Sequence, residues 1–143
     1  FSETCLMVID IDHFKQVNDV YGHLMGDQVI QFVAEKLKEN IRTSDLLVRY
    51  GGDEFIVLIE NVGMERALKI AEKIRSEIYE AKSVDNVRCP DLKVSISIGV
   101  AIGATSWMAL LEKADRALFQ AKEQGKNKVV AYSVDEENDS YYI

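Results

Sequence analysis

The sequence predicts an α+β domain, an α/β sandwich on one mostly antiparallel five-stranded sheet, and three observations carry that reading. Apolar stretches of strand-like and helix-like period follow one another in the order β-α-α-β-β-α-β-α-β. Two strand-like stretches, residues 46–50 and 55–59, flank Gly51-Gly52-Asp53-Glu54 and read as a hairpin whose glycines supply unusual backbone angles. That order contains the split βαββαβ arrangement, an antiparallel sheet with helices packed on it. In this topology the end of the first strand lies beside the hairpin turn, so Asp10 and Asp53 reach one sheet edge.

Each element has its own signal. Residues 5–9 are an apolar strand running into Asp10 and Asp12, and a short helix near residues 14–20 stops at Gly22. Val29, Ile30, Phe32, Val33, Leu37 and Ile41 recur on a helical period, with Asp27 near the start of that helix. After the hairpin, Ala67, Leu68, Ile70, Ala71, Ile74 and Ile78 mark another helix. Residues 92–102 alternate as a strand, residues 110–121 give the last long helix, and residues 128–132 add a short strand. Residues 83–91, with the only proline, Pro90, read as a loop. Residues 1–134 make the domain, and the acidic, aperiodic residues 135–143 read as a flexible tail.

A chain of 143 residues, 48% hydrophobic and 29% charged, fits one soluble domain with a real core. Its net charge of −7 argues against nucleic acid or an anionic membrane as partner, since both select basic surfaces. A phosphorylated small substrate would need local lysines and metal to offset that field. Cys5 and Cys89 lack metal-ligand spacing and read as reduced thiols, which fits a cytoplasmic location. No segment has the apolar length of a membrane span and the N-terminus has no signal-peptide layout, so any membrane anchor would lie in missing regions. Beginning at Phe1, the chain reads as a fragment.

Asp10, Asp12, Asp53 and Glu54 would repel one another on a shared edge unless divalent cations made the cluster tolerable. Asp12 is expected to cap the following helix rather than to bind metal.

The chain resembles the GGDEF domain family, the catalytic domains of diguanylate cyclases, over residues 6–132. The resemblance rests on an ordered set of motifs: Asp10-Ile11-Asp12-His13-Phe14-Lys15, Asn18-Asp19-Val20-Tyr21-Gly22-His23, Gly26-Asp27, Gly51 to Phe55, Ser97-Ile98-Gly99-Val100-Ala101, and Ala114-Asp115 through Ala121-Lys122 to Gly125-Lys126-Asn127. It implies the palm-like core that the family shares with class III nucleotide cyclases. It implies a nucleotidyltransferase that condenses two GTP into cyclic di-GMP and two pyrophosphates.

The resemblance also implies site residues. Two Mg²⁺ or Mn²⁺ ions per active site would be held by the carboxylates of Asp10 and Asp53 and the backbone carbonyl of Ile11. Such a pair, roughly 3.5 to 4 Å apart, activates a hydroxyl and stabilises a leaving group. Asp53 and Glu54 are the catalytic pair, Glu54 being a further metal ligand or the base. Free N–H groups opening the first helix, around Phe14 and Lys15, would cradle phosphates, with Lys15, Lys122 and Lys126 as cations on the triphosphate. Lys126 stands where the family often has Arg, giving a point charge in place of a fork. Asn18 and Asp27 would read guanine, and His23 is a weaker substrate contact. Arg42 and Asp45 match an inhibitory motif that binds cyclic di-GMP, and Lys73 stands where an assisting Arg is common.

Catalysis by a homodimer and an upstream regulatory module follow from the same resemblance. The alternative is a noncatalytic GGDEF module that senses GTP or cyclic di-GMP. A third reading, another nucleotidyl cyclase on the same fold, is disfavoured by the Asn18 and Asp27 pair.

Overall fold

The first strand, β1 (Cys5–Ile11), is buried along its whole length, which explains why its sequence is a continuous apolar run rather than an alternating one. A strand reads this way when both faces of its sheet are covered. In the computed structural model, which describes residues 4–82, 84, 92–103 and 106–132, β1 is followed by α1 (Phe14–Tyr21), α2 (His23–Asn40), β2 (Leu46–Arg49) and β3 (Glu54–Ile59). Then come α3 (Met64–Glu80), β4 (Ile96–Ile102), α4 (Trp107–Glu123) and β5 (Val129–Ala131). The sheet order is β2-β3-β1-β4-β5. All pairs are antiparallel except β4 with β5. Element order and sheet type therefore agree with the sequence reading.

Period-two alternation sorts β1 between two cores. Cys5, Met7, Ile9 and Ile11 join Val29, Val33 and Leu37 of α2 and Ala71, Ile74 and Ile78 of α3. Leu6 and Val8 face the other way, onto Leu110, Ala114 and Leu118 of α4. Burying a Leu or Ile side chain is worth about 1.5 to 3 kcal/mol, so either face fixes the register. A slip by one residue would exchange the two sets and turn Asp10 into the larger core.

Three boundaries differ from expectation. β1 runs on to Ile11, because Asp10 pairs with both Glu54 and Ser97 and Ile11 with Ile96. β4 starts at Ile96 rather than at residue 92, since its neighbour β1 ends at Ile11; one further bond, Asp12 N–H to the Ser95 carbonyl at 2.9 Å, closes the ladder. α2 starts directly after Gly22, whose φ of 91° suits glycine, so Asp27 sits in the second turn of the helix rather than at its entry. The expected loop at residues 83–91 lies outside the described residues apart from Val84, and so do the tail and Cys89.

α4 lies over β1 and β4. β2 at the sheet margin leaves Leu46 and Val48 half exposed. Among the described residues no helix is long and apolar enough to cross a membrane.

Gly99 on β4 sets the distance of α4 from the sheet. A Cβ there would collide with the Ala114 carbonyl oxygen and the Leu118 amide and would stand 2.9 Å from Leu118 Cα. Those are helix backbone atoms, which cannot rotate away. We expect Gly99→Ala to lower the unfolding free energy by at least about 2 kcal/mol in urea titrations. Gly52→Ala, whose Cβ would meet nothing within 4 Å, should stay within about 0.5 kcal/mol of the parent.

Candidate functional site

The register that opposes Asp10 to Glu54 brings the end of β1 against the hairpin turn. The Ile11 N–H donates to the Asp53 carbonyl at 3.0 Å, and the Tyr50 N–H donates to the Glu54 carbonyl at 2.8 Å. Arg49, which the sequence reading passed over, clamps the turn: its Nε donates to the Gly51 carbonyl at 3.2 Å and its Nη2 to the Gly52 carbonyl at 2.7 Å. A basic residue closing the strand before a glycine turn is the signal that could have found it.

Neither Gly51 nor Gly52 adopts a left-handed φ, which corrects the expectation that unusual angles explain this glycine pair. At Gly51 a Cβ would lie 3.2 Å from Glu54 Oε2, the flexible end of that side chain. The Glu54 carboxylate thus folds back over the turn.

Asp10 is 8% exposed. Its Oδ2 forms an ion pair with Lys122 Nζ, carried across the sheet by α4, while its Oδ1 is buried without a hydrogen-bond partner. Burial pushes the Asp10 carboxyl up to about 6; the Lys122 hydrogen bond opposes this and the Asp53 charge adds to it. At Lys122, burial pulls downward, but the Asp10 hydrogen bond and the charges of Asp10, Glu54 and Asp53 carry the ammonium above its usual range. Asp115, one heptad before Lys122 on α4, is raised by burial and then by the charge of Glu54. It too belongs to this acidic group. Its spacing from Lys122, two turns along one helical face, was the signal in the sequence.

Asp12 does not cap α1, whose N-cap is His13 in the left-handed region with no side-chain cap bond. Its carboxylate turns inward instead and accepts from Ser97 Oγ, Ser95 Oγ and the Asn127 N–H at 2.6, 2.7 and 2.9 Å. The reason is burial: at 6% exposure, a charged carboxylate needs several donors.

Among the described residues no three His, Cys, Asp or Glu side chains already form a ligand group. The donor chemistry nevertheless fits a hard divalent cation, which prefers oxygen. Asp10 offers an orphaned buried oxygen, Asp53 stands beside it, and Glu54 faces it across the ladder.

Asn18 on α1 and Asp27 on α2 sit on helices held close by Gly26, where a Cβ would collide with Asn18 Oδ1 and lie 3.3 Å from the Phe14 ring. Asn18 Oδ1 is buried and without a partner, whereas His23, Asp27 and Lys15 are exposed. Lys126 lies in the turn after α4, with φ of 66°.

At the far end of the hairpin, Arg42 and Asp45 pair with each other. Arg42 Nη2 reaches Asp45 Oδ1 at 3.2 Å and the Glu60 carbonyl at 2.9 Å, and the Arg42 N–H donates to Asp45 Oδ2 at 2.7 Å. They line a cavity of about 270 Å³ with Asn61, Ile70, Lys73 and Arg66. Arg66 was not singled out in the sequence; it stands two turns before Lys73 on α3.

The raised Asp10 carboxyl has a consequence for stability. The folded protein retains this proton up to about pH 6, whereas the unfolded chain releases it near 3.8. Stability due to this group is therefore greatest below the unfolded value and falls as pH rises through 6. In magnesium-free buffer, Asp10→Asn should melt above the parent at pH 7.5, and its advantage should shrink to nothing as pH falls towards 4.

The family described as "Diguanylate cyclase, GGDEF domain" matches residues 2–128. The chain is 44% identical over 133 residues to "Probable diguanylate cyclase DgcT" of Escherichia coli K12, covering 91% of this chain and 29% of that protein. It is 42% identical over 127 residues to "Response regulator PleD" of Caulobacter vibrioides, covering 87% and 28%. The chain thus spans under a third of the length of these two relatives. The crystal structure of the GGDEF domain of DgcB from Caulobacter crescentus, in complex with c-di-GMP, superposes with a TM-score of 0.85 at 33% identity, covering 90% of this chain and 77% of that one. With sequence, fold and the Gly51–Phe55 hairpin in agreement, the chain belongs to the GGDEF family of diguanylate cyclase domains.

Proposed function

We propose that this chain, as the domain formed by residues 1–134, condenses two GTP molecules into cyclic di-GMP with release of two pyrophosphates. The observation that supports it most is the buried Asp10 with one unpartnered oxygen, set between Asp53 and Lys122. Such a group calls for a cation on one side and offers a displaceable ammonium on the other.

In each of two steps, the 3′ oxygen of one GTP bonds to the α-phosphorus of the other, the bond from that phosphorus to the bridging oxygen of pyrophosphate breaks, and the hydroxyl proton passes to a base. Glu54, folded over the turn, is the better placed of the catalytic pair to take it, and Asp53 faces Asp10. Asp10, Asp53 and the Ile11 carbonyl would hold Mg²⁺ or Mn²⁺, with Glu54 as a further ligand, and the ion supplies Lewis-acid stabilisation of the phosphoryl charge when bound. Lys122, Lys126 and Lys15, with the amides that open α1, balance the triphosphate. Lys122 is paired with Asp10, so an incoming phosphate competes for an ammonium already at the site.

Guanine recognition fits the α1–α2 corner. The unpartnered Asn18 Oδ1 can accept from the base, and the exposed Asp27 carboxylate can accept from its N1–H and amino group. Two domains facing each other, each with one GTP, complete the reaction as a homodimer. The greater length of the relatives supports an attached regulatory region.

The Arg42 and Asp45 cavity supports product binding. The Arg42 side chain is 58% exposed while its partner Asp45 is only 4% exposed, so the Arg42 fork faces the cavity mouth and can turn to guanine O6 and N7.

Incubation with GTP and magnesium, in a form of the chain fused to a dimerising coiled coil, should give cyclic di-GMP and pyrophosphate on chromatography. Asp53→Asn and Glu54→Gln should each lower the rate at least roughly a hundredfold. GTP bound yet unconverted by the forced dimer would favour the sensor reading. In calorimetry, cyclic di-GMP should bind the parent and lose most of its affinity for Arg42→Ala; equal binding by both would remove the inhibitory site.

A further inference from the structure

The carboxylate of Asp12 is fully engaged within the protein. Ser97 Oγ donates to Oδ1 at 2.6 Å, and Ser95 Oγ and the Asn127 N–H donate to Oδ2 at 2.7 and 2.9 Å. Asn127 extends the chain of contacts, since its Oδ1 accepts from Arg75 Nη1 of α3 at 2.8 Å. Arg75 is in turn gripped by both oxygens of Glu72, at 2.9 and 2.6 Å. One continuous polar network thus links the end of β1, the start of β4, the turn after α4, and α3.

That turn has an uncommon backbone. Gly125, Lys126 and Asn127 have φ of 115°, 66° and 48°. Consecutive non-glycine residues keep left-handed angles only where their surroundings over-determine them. Here the Gly125 N–H donates to the Lys122 carbonyl at 3.3 Å and the Lys126 N–H to the Ala121 carbonyl at 3.0 Å. Lys126 is therefore tied to the last turn of α4 on one side. Through its neighbour Asn127 it is tied on the other side to Asp12, two residues beyond Asp10.

We infer that Asp12, Asn127 and Arg75 form a brace that fixes Lys126 relative to the strand end carrying Asp10, as positioning residues for the triphosphate of the nucleotide. The donors on Asp12 are neutral, so its contribution is geometry and not charge compensation. The network is buried at Asp12 and Ser97, part-buried at Asn127 and exposed at Glu72, and at its buried end both carboxylate oxygens of Asp12 are satisfied, which selects one arrangement over its alternatives. This inference rests on the reading that GTP is the substrate.

Asp12→Ala would leave three donors without an acceptor, and its failure to fold would be uninformative. Asn127→Gly is the better variant: it removes the tie to Arg75, keeps the N–H to Asp12, and suits the left-handed backbone. Binding of 3′-deoxy-GTP with magnesium, which lacks the hydroxyl needed for turnover, is measured by calorimetry on the 143-residue chain. Asn127→Gly should melt as the parent does and bind about tenfold more weakly, the scale of a misplaced charge-assisted contact. In a Lys126→Ala background the same change should cost less than about twofold, because the group being positioned is gone. Full additivity of the two losses, or no loss from Asn127→Gly, would overturn the brace. Unchanged affinity of Lys126→Ala would overturn it as well while leaving GTP as substrate. A parent chain that binds no 3′-deoxy-GTP would instead remove the GTP reading, and the brace with it.

Discussion

An ionisable side chain held at the end of a strand buried on both faces is the constraint on which the rest of the molecule depends. Asp10 continues β1 without a break, so the packing that orders Leu6, Val8 and Ile9 also withdraws its carboxylate from water. Withdrawal is costly unless countercharge arrives. The countercharge comes from α4, which approaches closely because Gly99 has no side chain, and which ends with Lys122 over the carboxylate. A glycine on β4, six elements further along the chain, is therefore part of the electrostatics of the site.

The same logic bears on the proposal that a chain with net charge −7 takes a polyanionic substrate. The overall field repels phosphate, but within a Debye length of about 8 Å local charges dominate. Lys122 sits among the charges of Asp10, Asp53, Glu54 and Asp115. A pair of opposite sign at short range keeps the acidic cluster tolerable.

Much of this was legible in the sequence, and the reasons differ between residues. The order of elements could be read because period-two and helical runs are long and separated by turns, and the adjacency of Asp10 and Asp53 followed from topology. Asn18, which the family resemblance singles out, carries a buried side-chain oxygen without a hydrogen-bond partner; its contact with guanine belongs to the proposed function. Contacts made by side chains across elements were not legible. Asp12 looked like a helix cap because local sequence favours that reading, but Ser95, Ser97 and Asn127 lie more than eighty residues away. Alternation in the sequence predicts that β4 starts at residue 92, but it starts at Ile96, because alternation extends in sequence beyond the length of the pairing strand β1. The glycines of the hairpin turn predict unusual backbone angles, yet neither Gly51 nor Gly52 has a left-handed φ.

The thin margin of the sheet has a colloidal consequence. β2 has four residues, and Leu46 and Val48 meet solvent with an unpaired backbone edge beside them. Such an edge invites strand-to-strand adhesion, and any chemistry that rewards crowding of two copies also rewards that adhesion. The acidic surplus of the chain opposes it, since like-charged particles resist contact at low salt. A net charge of −7 thus acts against clumping where many copies share a small volume.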